Sequence, residues 1–287
     1  VGTAGSAFGS RGYPLFGPED FHHLPGDSST NCGVQDYQNV TSVQSCDLLG
    51  MPDLCTGCPR VQERVAEYLN RMASMGVAGF RVDAAKHMDP GELKGILDRV
   101  NGSLYHYSEV PANPGEAVQT PMYYEDGPVT EFGFAAVLGP KFVNDGQLQD
   151  DFATLGEGWG LVPSQQAVVF LDNHDSQRNG QAPLTFRDQQ LYTLASVFML
   201  AHPYGYPRLR SSHDVASAEE GPPAAAVRGR PGGEVRCGEA NGWVCEHRWT
   251  AVANMVGFRK ATCWPSAAAA RPASPSTARP RRSGRWS

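Results

Sequence analysis

The 287-residue sequence has no apolar run near the roughly 18 residues that a membrane-spanning helix requires, so it reads as a soluble chain with no membrane partner. Charge is sparse at 19% of residues, while 40% are hydrophobic, enough to bury a core in one large domain or two smaller ones. Disorder is thereby excluded as the default. The opening residues, Val1-Gly-Thr-Ala-Gly-Ser6, lack the basic start and apolar centre of a secretory leader. The chain also starts without Met, so it is read as a fragment and the question of a leader stays open. Positive charge is scarce outside the last segment, residues 264–287, which holds Arg271, Arg279, Arg281, Arg282 and Arg285 and no acid. The rest has 19 basic against 30 acidic residues, a balance that excludes nucleic acid as a partner. Seven cysteines, several of them clustered, favour an oxidising compartment, and the odd number leaves at least one unpaired.

Residues 1–58 are rich in Gly, Ser, Asp, Asn and Pro without a sustained period, and read as an irregular, loop-rich subdomain. From Arg60 the pattern changes. Val61, Val65, Tyr68, Leu69 and Met72 form one stripe of an amphipathic helix, which leads through Gly76 into a buried strand at Phe80-Arg-Val-Asp-Ala84. A second helix is predicted after Asp89, with Glu92 completing a capping box, Pro90 at the first helical position, and Leu93, Ile96, Leu97 and Val100 as its apolar face. Further strands are expected at 104–110, 129–132, 167–171 and 206–209, and a helix over 188–200. Alternating helices and strands predict a parallel sheet with crossover helices, either a barrel or a doubly wound sheet, of which about five strands are visible. Residues 212–236 read as a surface excursion, 237–260 regain order around Trp243, Trp249 and Met255, and 261–287 are low-complexity: a disordered or out-of-frame tail, or a basic interaction tail.

Three strand ends carry acids. Arg81 and Asp83 alternate onto one face, where the guanidinium would hold the carboxylate ionised; a plain structural ion pair fits the same two residues. Glu109 follows the aromatic run Tyr105-His-Tyr107, and burial there would raise its pKa toward that of a usable acid, though a lone strand-end Glu is also an ordinary loop residue. Val168-Val-Phe-Leu171 is broken by Asp172-Asn-His-Asp175, which is ordinary turn chemistry taken alone. Together they supply one carboxylate to attack, one acid to protonate a leaving oxygen and one anion to fix hydroxyls, the equipment of a retaining glycosidase.

Gly79-Phe-Arg-Val-Asp-Ala-Ala-Lys-His87, Tyr107-Ser-Glu-Val110 and Phe170-Leu-Asp-Asn-His-Asp175 resemble, in order, three of the four signature segments of the α-amylases of glycoside hydrolase family 13, of the chloride-dependent kind found in animals. Gly156-Glu-Gly-Trp-Gly160, Phe198-Met-Leu-Ala-His-Pro-Tyr-Gly205 and Trp243-Val-Cys-Glu-His-Arg-Trp249 add lesser matches, and the likeness runs over about residues 2–260. The resemblance implies a partial TIM (β/α)8 barrel, about strands 4–8, over 59–260, preceded by a calcium-associated irregular B subdomain over 1–58, with the C-terminal β domain missing. It implies Asp83 as nucleophile, Glu109 as general acid/base and Asp175 as transition-state stabiliser, with Asp83 and Glu109 about 5–5.5 Å apart. Tyr37, Leu48, Arg81, Lys86, His87 and His174 match substrate-contacting positions. Arg81, Asn173 and Arg208 match a chloride site that would keep the pKa of Glu109 raised. Asp53, with backbone oxygens of Gln44 and His87, matches a calcium site. Cys32–Cys46 and Cys237–Cys245 match disulfides. Cys55-Thr-Gly-Cys58 matches nothing and stays open between a disulfide and half of a metal knuckle.

The implied activity is retaining hydrolysis of internal α-1,4 links of starch, glycogen and malto-oligosaccharides by a secreted monomer. Two other readings remain at this point. A non-catalytic carbohydrate-binding or transporter-accessory relative would have lost members of the acid trio, and all three survive; an inactive truncated fragment would lack the signature segment and strands expected before Val1. The loop after Asp175 is also shorter than the Gly-rich loop of vertebrate enzymes.

Overall fold

The computed structural model describes residues 5, 9, 11–143, 152–215, 217, 220–224, 236–238 and 242–262. Five strands, β1 Gly79–Val82, β2 Tyr105–Ser108, β3 Val129–Glu131, β4 Ala167–Val169 and β5 Tyr206–Pro207, pair in sequence order and all in parallel. Helices accompany them: α1 Val40–Ser45 in the irregular segment and α2 Pro59–Ser74 before β1, then α3 Pro90–Leu97, α4 Phe132–Val143 and α5 Gln190–Ala201 as crossovers, with only the short 3-10 turn Thr120–Tyr123 between β2 and β3, and α6 Thr250–Thr262 after β5. Sequential parallel order with helical crossovers makes this half of a TIM barrel, not a doubly wound sheet, whose strand order would reverse.

All five strands predicted from periodicity are present, each slightly shorter than its apolar run. Register explains one glycine: Gly79 pairs with Tyr105, and a Cβ on it would run into the Tyr105 carbonyl. The apolar layer lies between sheet and helices. Phe134, Leu138, Val169, Tyr192, Ala195 and Met199 join α4 and α5 to β4, while Val43, Leu93, Val110, Tyr123 and Val129 join the irregular segment and α3 to β2 and β3.

Three local expectations need correction. The predicted α2 stripe is only partly buried: Val61 and Ala66 are inside, whereas Tyr68 is 58% exposed. Among the described residues α2 packs on α3, and β1, ahead of which it lies, is an edge strand, so Tyr68 at the outer side of the stripe stays exposed. The capping box is half made. Asp89 accepts from the N–H groups of Gly91 and Glu92, but Glu92 turns its carboxylate to the Thr56 hydroxyl, 2.6 Å away. The α4 helix, with Pro140 inside it, lies where the sequence suggested only the end of a strand. The low-complexity tail beyond Thr262 lies outside the described residues.

Candidate active site

The acids gather at the C-terminal ends of β1, β2 and β4, where loops leave a parallel sheet and side chains face one opening. Arg81 is the link. Its guanidinium pairs with Asp83 through one nitrogen and with Glu109 Oε1 at 2.9 Å through another. The turn after Asp83 is sharp because Ala84 takes a left-handed conformation, φ 47°, and this lets the Ala84 N–H donate to Glu109 Oε2 at 3.1 Å. Parallel pairing continues past the strands, with Glu109 N–H on Val82 O at 2.9 Å and Lys86 N–H on Glu109 O at 3.2 Å.

Asp83 and Glu109 are joined through Arg81, their common partner. Burial pushes the Asp83 carboxyl up, but the hydrogen bond and charge of Arg81, with the His174 charge, hold it below the usual carboxylate value. His174 Nε2 lies 3.3 Å from Asp175 Oδ2, and the Asn173 side-chain oxygen shapes the turn by accepting the Asp175 and Ser176 N–H groups at 3.0 and 2.7 Å. Glu109, Asn173 and Asp175 line one cavity of about 370 Å³, walled by Phe132 and Phe170. Glu109, at 14% side-chain exposure, and Asp175 share that cavity, while Asp83, open to solvent like Asp175, lies outside its lining and joins Glu109 through Arg81.

Arg81, Asn173 and Arg208 line a second, adjoining cavity of about 250 Å³ with Tyr107 and His174. Arg208 continues β5, its N–H on Val169 O at 2.8 Å, and its guanidinium lies 4.9 Å from the Tyr107 ring. Among the described residues it has no acidic partner, and the Asn173 amide oxygen is already taken, leaving the NH2 as a donor. A cation and an amide donor around a polar hole suit a small anion.

Tyr37, Lys86 and His87 form a separate group. The Lys86 ammonium is 4.8 Å from the Tyr37 ring and 2.6 Å from Glu116 Oε2, and the Tyr37 and His87 rings meet edge-on at 6.1 Å. Leu48 lies in the exposed turn from Leu48 to Met51. These four line neither cavity. The residues expected to hold calcium come near one another, because His87 Nδ1 bonds Val43 O at 2.8 Å, drawing the backbone at Gln44 toward it, and the Asp53 charge acts on His87. Burial pushes the Asp53 carboxyl up more than its 2.7 Å contact with His22 lowers it, and the Asp47 charge adds to the rise. Asp47 is already paired with Arg11 at 2.6 Å, so a hard cation there would answer Asp53, with backbone oxygens and water completing its shell; among the described residues no group of three His, Cys, Asp or Glu side chains is placed to hold a metal ion.

No protein-family model matches the chain. Human α-amylase 1B is 40% identical over 289 residues, 90% of this chain and 56% of that protein, and the α-amylase of Tenebrio molitor is 41% identical over 91% and 58%. The crystal structure of α-amylase I from Eisenia fetida superposes with a TM-score of 0.78 at 37% identity, covering 89% of this chain and 58% of that one. The chain belongs to the animal-type α-amylases. It spans about half the length of the curated relatives it matches. A mutant of the Eisenia fetida enzyme, solved with maltohexaose, aligns equally well, with a TM-score of 0.80.

In this α-amylase chain the disulfides Cys32–Cys46 and Cys237–Cys245 are formed as the resemblance implies, and Cys55–Cys58 is a third, not a metal knuckle. Sequence reasoning missed a buried network beside the second cavity. Asp172, 3% exposed, accepts from Tyr192 and Gln177; Gln177 also meets Ser212 and Arg210, and Ser212 N–H donates to the fully buried Glu246. Burial lifts the Asp172 carboxyl to about 6 against those two hydrogen bonds. The only signal was its place directly after the apolar run, which Asn173 and Asp175 share, so sequence could not tell the buried acid from the open one.

Proposed function

We propose that this chain carries the catalytic half-barrel of a secreted α-amylase that hydrolyses internal α-1,4 links of starch and glycogen with retention, acting as a monomer. The observation that carries this reading is Arg81 bridging Asp83 and Glu109 while Glu109 and Asp175 line one cleft. Asp83, held ionised, attacks the anomeric carbon as Glu109 protonates the departing oxygen; Glu109 then deprotonates the water that breaks the glycosyl–Asp83 bond. Asp175 and His174 hold sugar hydroxyls at the same ring, and Tyr37, Leu48, Lys86 and His87 contact more distant sugars. The maltohexaose bound to the Eisenia fetida relative supports a malto-oligosaccharide as the ligand class. Residues 1–58 form the calcium-associated subdomain, residues 59–260 the barrel part, and the disulfides support an extracellular site of action.

The test is soluble starch followed by iodine colour and by NMR of the first products. Rapid colour loss with α-anomeric products is expected; β-anomers, or reducing sugar released without colour loss, overturn the reading. Chloride held by Arg81, Asn173 and Arg208 would supply a fixed negative charge that favours the protonated acid/base. Dialysis into chloride-free buffer is therefore expected to lower the rate near neutral pH by about tenfold, with recovery on adding NaCl, and indifference to chloride removes Arg208 from the site. Calcium at Asp53, Gln44 and His87 would tie the irregular segment to the barrel. Chelation should lower the melting temperature, by about 2–4 °C per kcal/mol of lost binding energy, and an unchanged melt removes Asp53 as a ligand.

A further inference from the structure

Cys55-Thr-Gly-Cys58 is the motif that the glycosidase reading leaves without a role, and its surroundings give it one. In each of the other two bridges one cysteine is buried, Cys46 at 6% and Cys245 at 1% exposure, whereas Cys55 and Cys58 are both partly open to solvent. Their separation of three residues closes the shortest loop of the three bridges, so opening it releases little chain entropy.

The bridge sits where three parts of the fold meet. On one side, residues 53–55 are stitched to residues 20–22: Cys55 N–H donates to Asp20 O at 2.9 Å, His22 N–H donates to Asp53 O at 2.8 Å, and Leu54 pairs with Phe21. On the other side, Cys58 is the N-cap of the 16-residue helix α2, and its N–H returns to Cys55 O at 2.9 Å. Between them, Thr56 donates to Glu92 of α3, and Gly57 lies so close to that carboxylate that a Cβ would strike it. Cys58 makes no side-chain cap bond, and the first turn of α2 has no acid. A thiolate there would meet first-turn N–H groups of the helix, a condition that favours Cys58 as a leaving group, while the nearby Arg60 guanidinium is taken by Asp20 and Glu19.

We propose that Cys55–Cys58 is a thiol–disulfide exchange site for dithiol reductants, whose opening frees residues 53–58 from α2 and α3 while the barrel core stays folded. One thiolate of the reductant attacks Cys55 Sγ, and the electrons of the broken S–S bond leave on Cys58 Sγ. The second reductant thiolate attacks the reductant sulfur now bound to Cys55, closing a cyclic disulfide and expelling the Cys55 thiolate. The two protons of the dithiol end on the two cysteines, and the reductant is oxidised by two electrons. This site is independent of the acid trio.

The full chain, kept in calcium-containing buffer, is titrated with dithiothreitol, alkylated and mapped by mass spectrometry. Cys55 and Cys58 are expected to be half labelled at a dithiothreitol concentration about tenfold or more below that needed for Cys32, Cys46, Cys237 and Cys245. Joint opening of the three bridges, or opening of Cys55–Cys58 last, overturns the proposal. Hydrogen exchange on the selectively reduced chain, and on the Cys55→Ser/Cys58→Ser variant, reads the consequence. Amides of residues 53–58 should exchange about tenfold faster with α5 unchanged; no change at 53–58, or faster exchange throughout, overturns the tie between this bridge and the helices.

Discussion

Glu109→Gln is expected to lower kcat on malto-oligosaccharides by about 10²–10⁴-fold while leaving their Kd within a few-fold. The carboxyl, at 14% side-chain exposure, receives the Arg81 guanidinium on one oxygen and the Ala84 N–H on the other. Glutamine keeps an oxygen acceptor and the side-chain volume but has no proton to give the leaving oxygen. The loss should therefore fall on kcat, with circular dichroism and the melt unchanged. Substrates with good leaving groups, such as aryl maltosides, need little protonation and should lose less in the first step. A variant with normal kcat on starch would remove Glu109 from the role of acid.

Arg81→Gln should act on two carboxyls at once. With the guanidinium gone, the largest influence left on Asp83 is burial, which raises its pKa. The nucleophile must be ionised, so the acid limb of the kcat/KM profile is expected to move to higher pH. At the optimum, kcat/KM should fall by about 10²-fold because both reacting groups lose their common anchor. The stability consequence has a definite sign: the depressed folded-state pKa of Asp83 gives stability that is present above its unfolded pKa and lost as pH falls through the folded one. Asp83 is 73% exposed, so this contribution is small and the melt at neutral pH should barely move. Arg81→Lys, which restores charge but not the two-pronged geometry, is expected to recover the acid limb more fully than the rate. An acid limb that stays in place in Arg81→Gln would overturn the assignment of Asp83 as the nucleophile.

Much of the site was legible in the sequence because its signals are local. Arg81 and Asp83 alternate onto one face of a strand, and the structure pairs them. Five apolar runs of strand length became five strands. Less local features were not legible. Lys86 resembles a sugar-contacting position, yet its ammonium is held by Glu116, which nothing in the spacing announced. The Glu92 carboxylate, expected to cap its own helix, reaches Thr56 of the irregular segment instead. The face of α2 that carries Tyr68 looked like core, but burial depends on a neighbouring element and not on the helix itself.

The sequence by itself determined the alternation of strand and helix, a parallel sheet, and which acids stand at strand ends, since hydrophobic period and side-chain alternation are properties of adjacent residues; the half-barrel rather than a doubly wound sheet was implied only by the family resemblance. Only the tertiary structure decided that Arg81 reaches across to Glu109, that Asp172 is buried while Asp175 is open, and that Cys55 pairs with Cys58 at the junction of α2, α3 and the irregular segment. Those outcomes depend on strand register and on which surfaces are shut off from water, and both are set by residues far apart in the chain.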